Sequence, residues 1–466
     1  MRNKEGLAMT ENTQNFPPED DYGLDVSLVE AVLETVAQGS QQQLLGLLEP
    51  LHEADIADIL EQISPSERIA LLTLWGREID GGVLSELEEG VRDEVMRDLP
   101  DEVLAEAVRD LDTDDVVYLV EDLDDPQKEK LLEKLEHVDR MAVKRALTFD
   151  EDTAGRLMQR ETVVAPQHWN VGQIIDYMRS AEDLPEVFYD VIVVDPMMHP
   201  IGDVRLGLIM GAAREVLLTE LMTDNFRTFS ADQDVEDVAY AFNQYHMVSA
   251  PVVDREGRLL GVITIDDAMD VLEDEVEEDM NRLAGLGDED LTDKVWRITK
   301  ARFPWLAVNL VTSILASIVI AQFTDVIEAI VALAVLLPIV ASMGGNAATQ
   351  TLTVAVRAIA THDLTPSNAI RIVLRETLVG LANGVVFAVI IGIVGVIWFG
   401  DPMLGVVLGL AMIANLLVAG MAGILVPITL DKLGADPALA SGAFVTTVTD
   451  IVGFFAFLGL AALMLI

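Results

Sequence analysis

The sequence predicts a multidomain chain: an all-α N-terminal helical domain, a tandem pair of α/β repeats, a long linking helix and a five-helix transmembrane domain. Composition supports this division. Hydrophobic residues make up 51% of the 466 residues, and yet the formal net charge is −48. Residues 295–466 carry 7 of the 30 basic and 8 of the 78 acidic residues, which leaves a net charge of −47 on residues 1–294. A nearly neutral membrane part therefore follows a very acidic soluble part.

The acidity and the lack of cysteine limit the functions open to the chain. A strongly negative surface repels nucleic acids and anionic lipids and favours cations as ligands, although many of these acids could simply solvate the surface. Cysteine is absent, which excludes disulfides, thiolate metal sites and cysteine nucleophiles. Residues 1–21 contain no apolar signal-peptide core, so we expect membrane insertion to depend on the C-terminal helices.

Short amphipathic helices with acidic first turns are predicted for residues 26–150, after a polar tail at residues 1–25 that we expect to be disordered. Ser64 and Glu67 fit a capping box around Pro65 at the first helical position. His52 and His137 are isolated in the sequence and indicate surface residues. Nothing here suggests a catalytic constellation, and the recurrence of similar units predicts a small stack of helices.

Residues 151–279 alternate β-branched runs with helices. Predicted strands at 187–195 and 251–254 each stop at an Asp, and the second continues through a turn into a strand at 259–265. Asp266 and Asp267 then cap a helix. Aligning Val193-Val194-Asp195 with Val252-Val253-Asp254 gives two tandem α/β repeats offset by 59 residues. In the first repeat, residues 196–200 replace the acidic turn of the second, so we expect the first copy to be degenerate.

A linking helix at 280–302 is predicted to lead straight into the membrane domain at 303–466, because the acid-rich run is followed by basic residues and then by apolar spans. The second span should either be broken or extend into water, because Pro338 and Gly344-Gly345 interrupt it. Basic residues flank the first span and the loop before the third, which predicts a cytoplasmic soluble part and an external C-terminus. The predicted spans cover residues 303–322, 326–360, 369–398, 403–430 and 440–466.

A polar stripe follows the glycine pair of the second span. Asn346, Gln350, Thr353 and Arg357 are 4, 3 and 4 residues apart and therefore share one helix face. Amide and hydroxyl oxygens suit hydrated Mg²⁺, which releases its waters reluctantly. The stripe indicates either a pore lining or hydrogen bonding between helices, which is common for such residues in bundles.

Asp450 is an acid inside the last apolar span, and Thr446, Thr447 and Thr449 lie within about one turn of it. An ionisable group at this depth costs free energy unless it faces water, a partner or an ion. A buried, paired acid is the alternative, but no Lys or Arg occupies the deep interior of any predicted span. We therefore predict an ion site, and a symmetric dimer would supply a second carboxylate across its axis.

Further acids lie on the helix that follows the second repeat, spaced so that they project over two faces. Acids that face an acidic partner domain repel each other, and divalent ions could bridge them. The predicted cluster consists of Asp267, Asp270, Glu275, Glu278 and Asp279.

The tandem repeats resemble a CBS-domain pair, and the chain as a whole resembles the MgtE family of magnesium channels. The resemblance covers nearly the whole chain in domain order. Its most specific segments are Pro338–Ala360, Pro304-Trp305-Leu306, Asp436–Gly453 and Thr153–Met158.

The resemblance implies a homodimer with a pore between the subunits, lined by the second and fifth spans. Asp450 matches the pore aspartate of the family, Asn346 and Gln350 match polar positions of its second span, and the helix at 279–298 corresponds to the one that closes the pore. The resemblance places cytoplasmic Mg²⁺ contacts at or beside Glu236, Asp267, Asp270, Glu275, Glu278 and Asp279, with Asp114 and Asp115 as candidates in the helical domain.

Three positions depart from the family pattern. His246 stands where a sensor carboxylate is expected, and Gly442 stands where an Asn is expected near the cytoplasmic mouth. Met247 replaces an aromatic residue beside adenine, which argues against ATP binding without excluding it.

The expected function is Mg²⁺ import across the inner membrane without enzymatic activity, closed by cytoplasmic Mg²⁺. Mg²⁺ is thus both cargo and regulator. Two alternatives remain, namely a CBS-regulated transporter of another divalent cation such as Co²⁺ or Ni²⁺, and a non-conducting sensor of Mg²⁺ or nucleotide.

Overall fold

A computed structural model describes residues 24–287 and 295–466, apart from residues 25, 110, 122, 124, 182, 183, 186, 224 and 225. Nearly all of the predicted N-terminal tail and part of the predicted linking helix lie outside these residues. The described chain forms two compact units. One runs to Val238 and also includes Met247–Ile265, and the other comprises Ala239–His246 and Asp266–Ile466.

Short helices build the N-terminal part around one apolar core, as the sequence predicts. The predicted capping box is present, because the Ser64 backbone N–H donates to the Glu67 carboxylate at 2.9 Å and α4 begins at Pro65. His52 and His137 are exposed at helix starts. The helices are α1 Val26–Gln38, α2 Gln41–Leu48, α3 Glu53–Gln62, α4 Pro65–Trp75, α5 Gly81–Ser85, α6 Glu89–Asp98, α7 Asp101–Ala107, α8 Thr113–Glu121, α9 Asp125–Lys134 and α10 His137–Ala146.

The α/β region contains two three-stranded sheets with the same topology. In each sheet the first strand is parallel to the second, and the second is antiparallel to the third. The first predicted strand starts later than expected, at Asp190 instead of residue 187. The elements are α11 Ala154–Leu157, β1 Val163–Pro166, α12 Val171–Ser180, β2 Asp190–Val194, β3 Pro200–Arg205, α13 Leu206–Gly211, β4 Phe229–Ser230, α14 Val235–Tyr245, β5 Ser249–Val253 and β6 Leu259–Thr264.

The two sheets repeat each other at the predicted offset of 59 residues. Their registers shift at equivalent places, between Val193 and Val194 and between Val252 and Val253. The turns that follow are also equivalent, because Met198 and Gly257 have φ angles of 67° and 80°. Residues 196–200 therefore make the same turn as the second copy, and the degeneracy expected from their sequence does not extend to the backbone.

An aspartate organises each of these turns. Asp195 Oδ1 accepts hydrogen bonds from the backbone N–H groups of Met197 and His199 at 2.8 and 2.9 Å. Asp254 Oδ1 accepts from Glu256 and Arg258 at 3.0 and 2.8 Å. These bonds lower the pKa of both carboxyl groups. The Asp at each strand end is thus explained by turn geometry.

The two repeats also meet at equivalent residues. Asp190 and Ser249 begin β2 and β5, are 59 positions apart, and are joined by a hydrogen bond of 2.8 Å from Ser249 Oγ to Asp190 Oδ2. Asp190 is buried, and burial, which is the largest cause, raises the pKa of its carboxyl group. The pairing confirms that the two α/β units form a tandem pair.

The predicted linking helix is not a single helix. Helix α15, Ile265–Ala284, ends before Gly285, whose φ angle of 74° is left-handed. A Cβ atom at position 285 would overlap the indole ring of Trp305, so glycine is required by the close approach as well as by the backbone. Helix α16 then begins at Val295. A left-handed glycine is a common helix end, and it overrides the acidic helical pattern here.

Within the described residues, five helices are long and apolar enough to cross a membrane. Helix α20 lies at the centre of this bundle, since it packs against α18, α19 and α21 and is the most buried of them. The helices of the membrane domain are α16 Val295–Ala321, the short α17 Thr324–Ala329, α18 Ala332–Ala360, α19 Ala369–Phe399, α20 Pro402–Lys432 and α21 Pro437–Met464.

The predicted interruption of the second span is wrong in position. Helix α18 continues through Pro338 and through Gly344-Gly345, and the break lies earlier, between α17 and α18. A membrane offers no water to satisfy broken backbone hydrogen bonds, so helices tolerate Pro and Gly there when neighbouring helices pack around them. The two glycines instead allow close contact with α20 and α21.

Candidate functional site

The polar stripe of α18 lies on the exposed side of the helix. Asn346, Gln350, Thr353 and Arg357 are all exposed, whereas the opposite face of the helix is buried. A stripe that served hydrogen bonding between helices of one chain would be buried. Facing lipid would be costly for these groups. The arrangement therefore favours a water-filled path or a second subunit beside this face.

Asp450 lies half-buried on α21, and the neighbouring Thr449 is fully buried. The hydroxyls of Thr446 and Thr447 donate to backbone carbonyls of Gly442 and Ala443 one turn earlier. Because these hydroxyl protons are used within the helix, lone pairs on both oxygens stay free to accept from a hydrated cation. The carboxylate and these oxygens thus form one strip of acceptors along α21.

Helices α18 and α21 bring the predicted pore positions near each other. They pack directly together, and a Cβ atom at Gly345 would lie 3.9 Å from Cγ2 of Thr446. Gly345 precedes Asn346, and Thr446 is one turn before Asp450. The start of the α18 stripe and the acceptor strip of α21 therefore lie on adjacent helices at similar depth.

Gln350, at the edge of the stripe, also borders a cavity within the bundle. The cavity has a volume of about 160 Å³ and lies between α18, α19 and α20. Its polar lining consists of Gln350, Thr351, Glu376 and Asn383. Glu376 is mostly buried and forms an ion pair with Arg375 at 3.0 Å. Glu376 was not among the predicted site residues, although an acid in a 31-residue apolar helix is a visible signal.

Asn415 is a second polar residue of the bundle that was not predicted from the sequence. It is fully buried on α20, and its Nδ2 donates to the carbonyl oxygen of Val340 on α18 at 2.8 Å. The available signal was a single carboxamide within an otherwise apolar helix. Its partner is 75 residues away in sequence, so spacing alone could not reveal the contact.

The predicted regulatory acids do not form a ready-made metal cage in one chain. Among the described residues, no three His, Asp or Glu side chains converge on one metal position. Asp270 and Glu236 are exposed, and Asp267, Glu275, Glu278 and Asp279 are partly exposed. In α8, Asp114 accepts from the Asp115 backbone N–H at 3.0 Å, and the preceding Thr113 hydroxyl donates to Glu161 at 2.7 Å. The assignment of these acids to Mg²⁺ sensing stays a prediction.

The end of α15 packs against the membrane helices. Leu283 contacts an apolar cluster formed by Leu352 and Val356 of α18 and Ala438 of α21. Arg282 forms ion pairs with Glu278 and with Asp436, the latter at 2.6 Å. These contacts join the acidic helix directly to the two helices that carry the predicted ion path.

Asp279 lies at this junction, where its surroundings disfavour the ionised form of its carboxyl group. Burial, which is the larger cause, and the nearby Asp436 both raise the pKa of the Asp279 carboxyl group. Two carboxylates that repel each other at a helix junction favour either protonation or a bound cation. The junction therefore brings two acids, Asp279 and Asp436, together with one base, Arg282.

Comparisons with known proteins agree with this architecture. Residues 337–460 match the family model described as divalent cation transporter, MgtE. Residues 51–152 match the MgtE intracellular N domain, and residues 218–274 match the CBS domain. The last match covers the second α/β unit.

Curated relatives cover most of the chain. "Magnesium transporter MgtE" from Enterococcus faecalis is 33% identical over 321 residues, which is 69% of this chain and 71% of the relative. The protein of the same name from Thermus thermophilus is 32% identical over 452 residues, covering 95% and 99% of the two chains.

Among solved structures, the cytosolic domain of the Mg²⁺ channel MgtE in complex with ATP matches 52% of this chain and 99% of its own length. Its sequence identity is 29% and its TM-score is 0.49. The family assignment rests on the sequence relatives, because they exceed 30% identity over more than two thirds of their length. The chain belongs to the MgtE family of magnesium transporters.

Proposed function

We propose that this chain is a Mg²⁺ channel of the cell (inner) membrane that imports magnesium and closes when cytoplasmic Mg²⁺ binds its acidic domains. One observation carries the proposal: the exposed polar stripe of α18 lies beside the α21 helix that bears Asp450. The named activity of the curated relatives supports the choice of ion. No catalytic role is proposed for any residue.

The ion path runs between two copies of the chain in a homodimer. A single carboxylate is a weak site for a divalent ion, and twofold symmetry would place two Asp450 side chains across one axis. Asn346, Gln350 and Thr353 supply oxygens on α18, and Thr446 and Thr447 supply them on α21. Hydrated Mg²⁺ binds such acceptors through its waters, because it dehydrates reluctantly.

The gate uses the junction between α15 and the membrane helices. At low cytoplasmic Mg²⁺ the acids of α15 repel one another and the neighbouring acidic domains. Mg²⁺ relieves this repulsion and favours the closed state, in which α15 holds α18 and α21 through contacts such as Leu283 and Arg282–Asp436. Shifting the equilibrium from 1:99 to 99:1 requires about 5.5 kcal/mol of differential binding, which several weak sites meet more easily than one.

The orientation follows from the basic residues that flank the spans. Arg297 and Lys300 precede the first span, and Arg371 and Arg375 lie near the start of the third. The positive-inside rule places these residues on the cytoplasmic side. The soluble domains are then cytoplasmic and the C-terminus is external.

The test is flux through purified protein in liposomes, measured for Mg²⁺, Co²⁺ and Ni²⁺ with and without ATP. The proposal predicts Mg²⁺ flux that falls as Mg²⁺ on the side of the soluble domains rises. Flux of Co²⁺ or Ni²⁺ without Mg²⁺ would identify a transporter of another ion. Absence of flux for every ion, with binding retained, would identify a non-conducting sensor. An effect of ATP on closure would show that Met247 does not prevent nucleotide binding.

A further inference from the structure

Asn415 is buried without using its full hydrogen-bonding capacity. None of its surface is exposed, and it lies near the middle of α20. Its Nδ2 donates to the Val340 carbonyl oxygen at 2.8 Å, whereas its Oδ1 is buried without a hydrogen-bond partner in the described part of the chain. A carboxamide in an apolar helix costs free energy unless its groups are paired. The packing around the Asn415 side chain indicates what this buried carboxamide contributes to the structure.

Two glycines on different helices make room for this amide. A Cβ atom at Gly344 of α18 would overlap Nδ2 of Asn415. A Cβ atom at Gly453 of α21 would lie 2.7 Å from the same nitrogen, which is closer than real contacts allow. The Asn415 amide therefore occupies two notches at the same time. One is the space left by the absent side chain of Gly344 on α18, and the other is the space left by that of Gly453 on α21.

The hydrogen bond to the Val340 carbonyl oxygen fixes the position along α18 at which the Asn415 amide packs. In an α-helix the Val340 carbonyl also accepts from the N–H of Gly344, four residues on. The amide thus binds α18 at the turn that contains its notch. A shift of α18 by one turn would break the hydrogen bond and bring a side chain into the place of Gly344.

Both notches are next to the proposed ion path. Gly344 lies two residues before Asn346, where the polar stripe begins, and Gly453 lies three residues, or about one turn, after Asp450. We propose that Asn415 is a positioning residue that holds α18 and α21 in register, so that the stripe and Asp450 face the same passage. This inference rests on the proposed transport function. Asn415 itself does not contact the ion.

The first test measures thermal unfolding of the full-length protein in detergent, for Asn415→Ala, Gly344→Ala and the double variant. Gly344→Ala should lower the unfolding midpoint through the overlap with the amide. Removing the amide should relieve that overlap, so the double variant should unfold at or above the midpoint of Gly344→Ala.

Gly405→Ala is the matched control. Gly405 lies ten residues, or about 15 Å, before Asn415 on α20, and a Cβ atom there would lie 2.6 Å from the Gly392 carbonyl oxygen of α19. Combining Gly405→Ala with Asn415→Ala should give additive losses. Additivity for the Gly344 pair as well would overturn the proposed contact.

The second test separates positioning from a general structural role. Asn415→Ala is reconstituted at a matched amount of folded protein, and flux is measured against Mg²⁺ and Co²⁺ concentration. Positioning predicts an apparent KM for Mg²⁺ raised roughly threefold or more, together with a changed ratio of Mg²⁺ to Co²⁺ flux. A structural role alone leaves both at wild-type values for the folded fraction, and that result would overturn the proposal.

Failure of the proposed function is distinguishable from failure of this inference. If the wild-type protein carried no divalent cation at all, the transport proposal would be wrong, and so would a role for Asn415 in ion passage. The unfolding measurements do not depend on flux. They would still decide whether the Asn415 amide packs against Gly344 of α18.

Discussion

The membrane domain and the soluble domains use carboxylates in opposite ways. Residues 295–466 contain 8 of the 78 acids, whereas residues 1–294 contain the other 70. An acid inside an apolar helix is costly and must be compensated locally, as Glu376 is by Arg375. An acid on a solvated surface costs little and acts mainly as part of a set. Single substitutions should therefore be decisive in the membrane domain and weak in the soluble domains.

The largest effect is expected for Asp450→Asn, which keeps the size of the side chain and removes its charge. Loss of the only carboxylate on α21 should reduce Mg²⁺ flux by about 100-fold, equivalent to roughly 2.7 kcal/mol of lost stabilisation. The measurement is Mg²⁺ flux in liposomes, with dimer assembly checked by size.

Asp401→Asn is the matched control for this change. Asp401 caps the start of α20 by accepting from the Met403 N–H at 2.8 Å, and Asn can do the same. Its flux should equal that of the wild type. Equal losses in both variants would mean that any charge change in the domain disturbs transport.

A set of soluble acids should give the next largest effect. Replacing Asp267, Asp270, Glu275 and Glu278 by their amides removes the charges that Mg²⁺ neutralises in the closed state. Flux at high cytoplasmic Mg²⁺ should then exceed that of the wild type by about tenfold, since a gating bias of about 1.4 kcal/mol is a factor of ten. Each single amide variant should change closure far less.

The control set carries the same charge change on exposed acids of the helical domain. Normal closure in the α15 variant, or open channels in both sets, would contradict specific sensing by α15. The control positions are Glu49, Asp98, Glu102 and Glu133.

The polar stripe should show an intermediate effect. Asn346→Leu removes one acceptor near the start of the stripe and should lower Mg²⁺ flux roughly tenfold, about the free energy of one hydrogen bond to a charged group. Asn309→Leu on α16 makes the same change in a different span and should leave flux within about twofold of wild type. A larger loss of flux for Asn309→Leu than for Asn346→Leu would place the ion path along α16 instead.

The smallest effect concerns the stability of the tandem pair. Burial raises the pKa of Asp190, so its contribution to stability is greatest at low pH and is lost as pH rises through the raised pKa. Asp190→Asn should remove this loss and raise the thermal midpoint at pH 7 by about 2–4 °C, or on the order of 1 kcal/mol. At pH 4 the gain should shrink.

Asp232 provides the comparison for that measurement. It pairs with Arg255 at the surface at 3.0 Å, so Asp232→Asn should change the midpoint little at either pH. A gain for Asp190→Asn that is equal at both pH values would mean that the charge of Asp190 is not its cause.

Repeats and spans were predictable because their signals are local. The Val-Val-Asp sequences fixed the offset of the two α/β units, since each Asp must accept the N–H groups of its own turn. The apolar runs were long enough to predict the five spans within a few residues, except that helix α16 starts earlier than predicted. The two breaks were misplaced for opposite reasons. Pro338 is tolerated by packing, whereas α15 ends at Gly285, which has a left-handed φ angle and no room for a side chain beside Trp305.

The candidate site was predictable only in part. Asp450 and the stripe at Asn346 stand out because polar groups are rare in apolar helices. Asn415 gives the same local signal, but its meaning lies in Gly344 and Gly453, which are distant in sequence and adjacent only in the folded bundle. The regulatory acids are too numerous for the sequence to distinguish those that bind ions from those that face solvent.

We propose that Asp450 serves ion passage and that the acids of α15 control closure. The most direct test of this division is Mg²⁺ flux in liposomes, measured at low and high Mg²⁺ on the side of the soluble domains. Wild-type protein should conduct at low Mg²⁺ and close at high Mg²⁺. The fourfold α15 variant should conduct at both, and Asp450→Asn at neither. Wild-type flux through Asp450→Asn would contradict the account, because passage would then not depend on the carboxylate of α21.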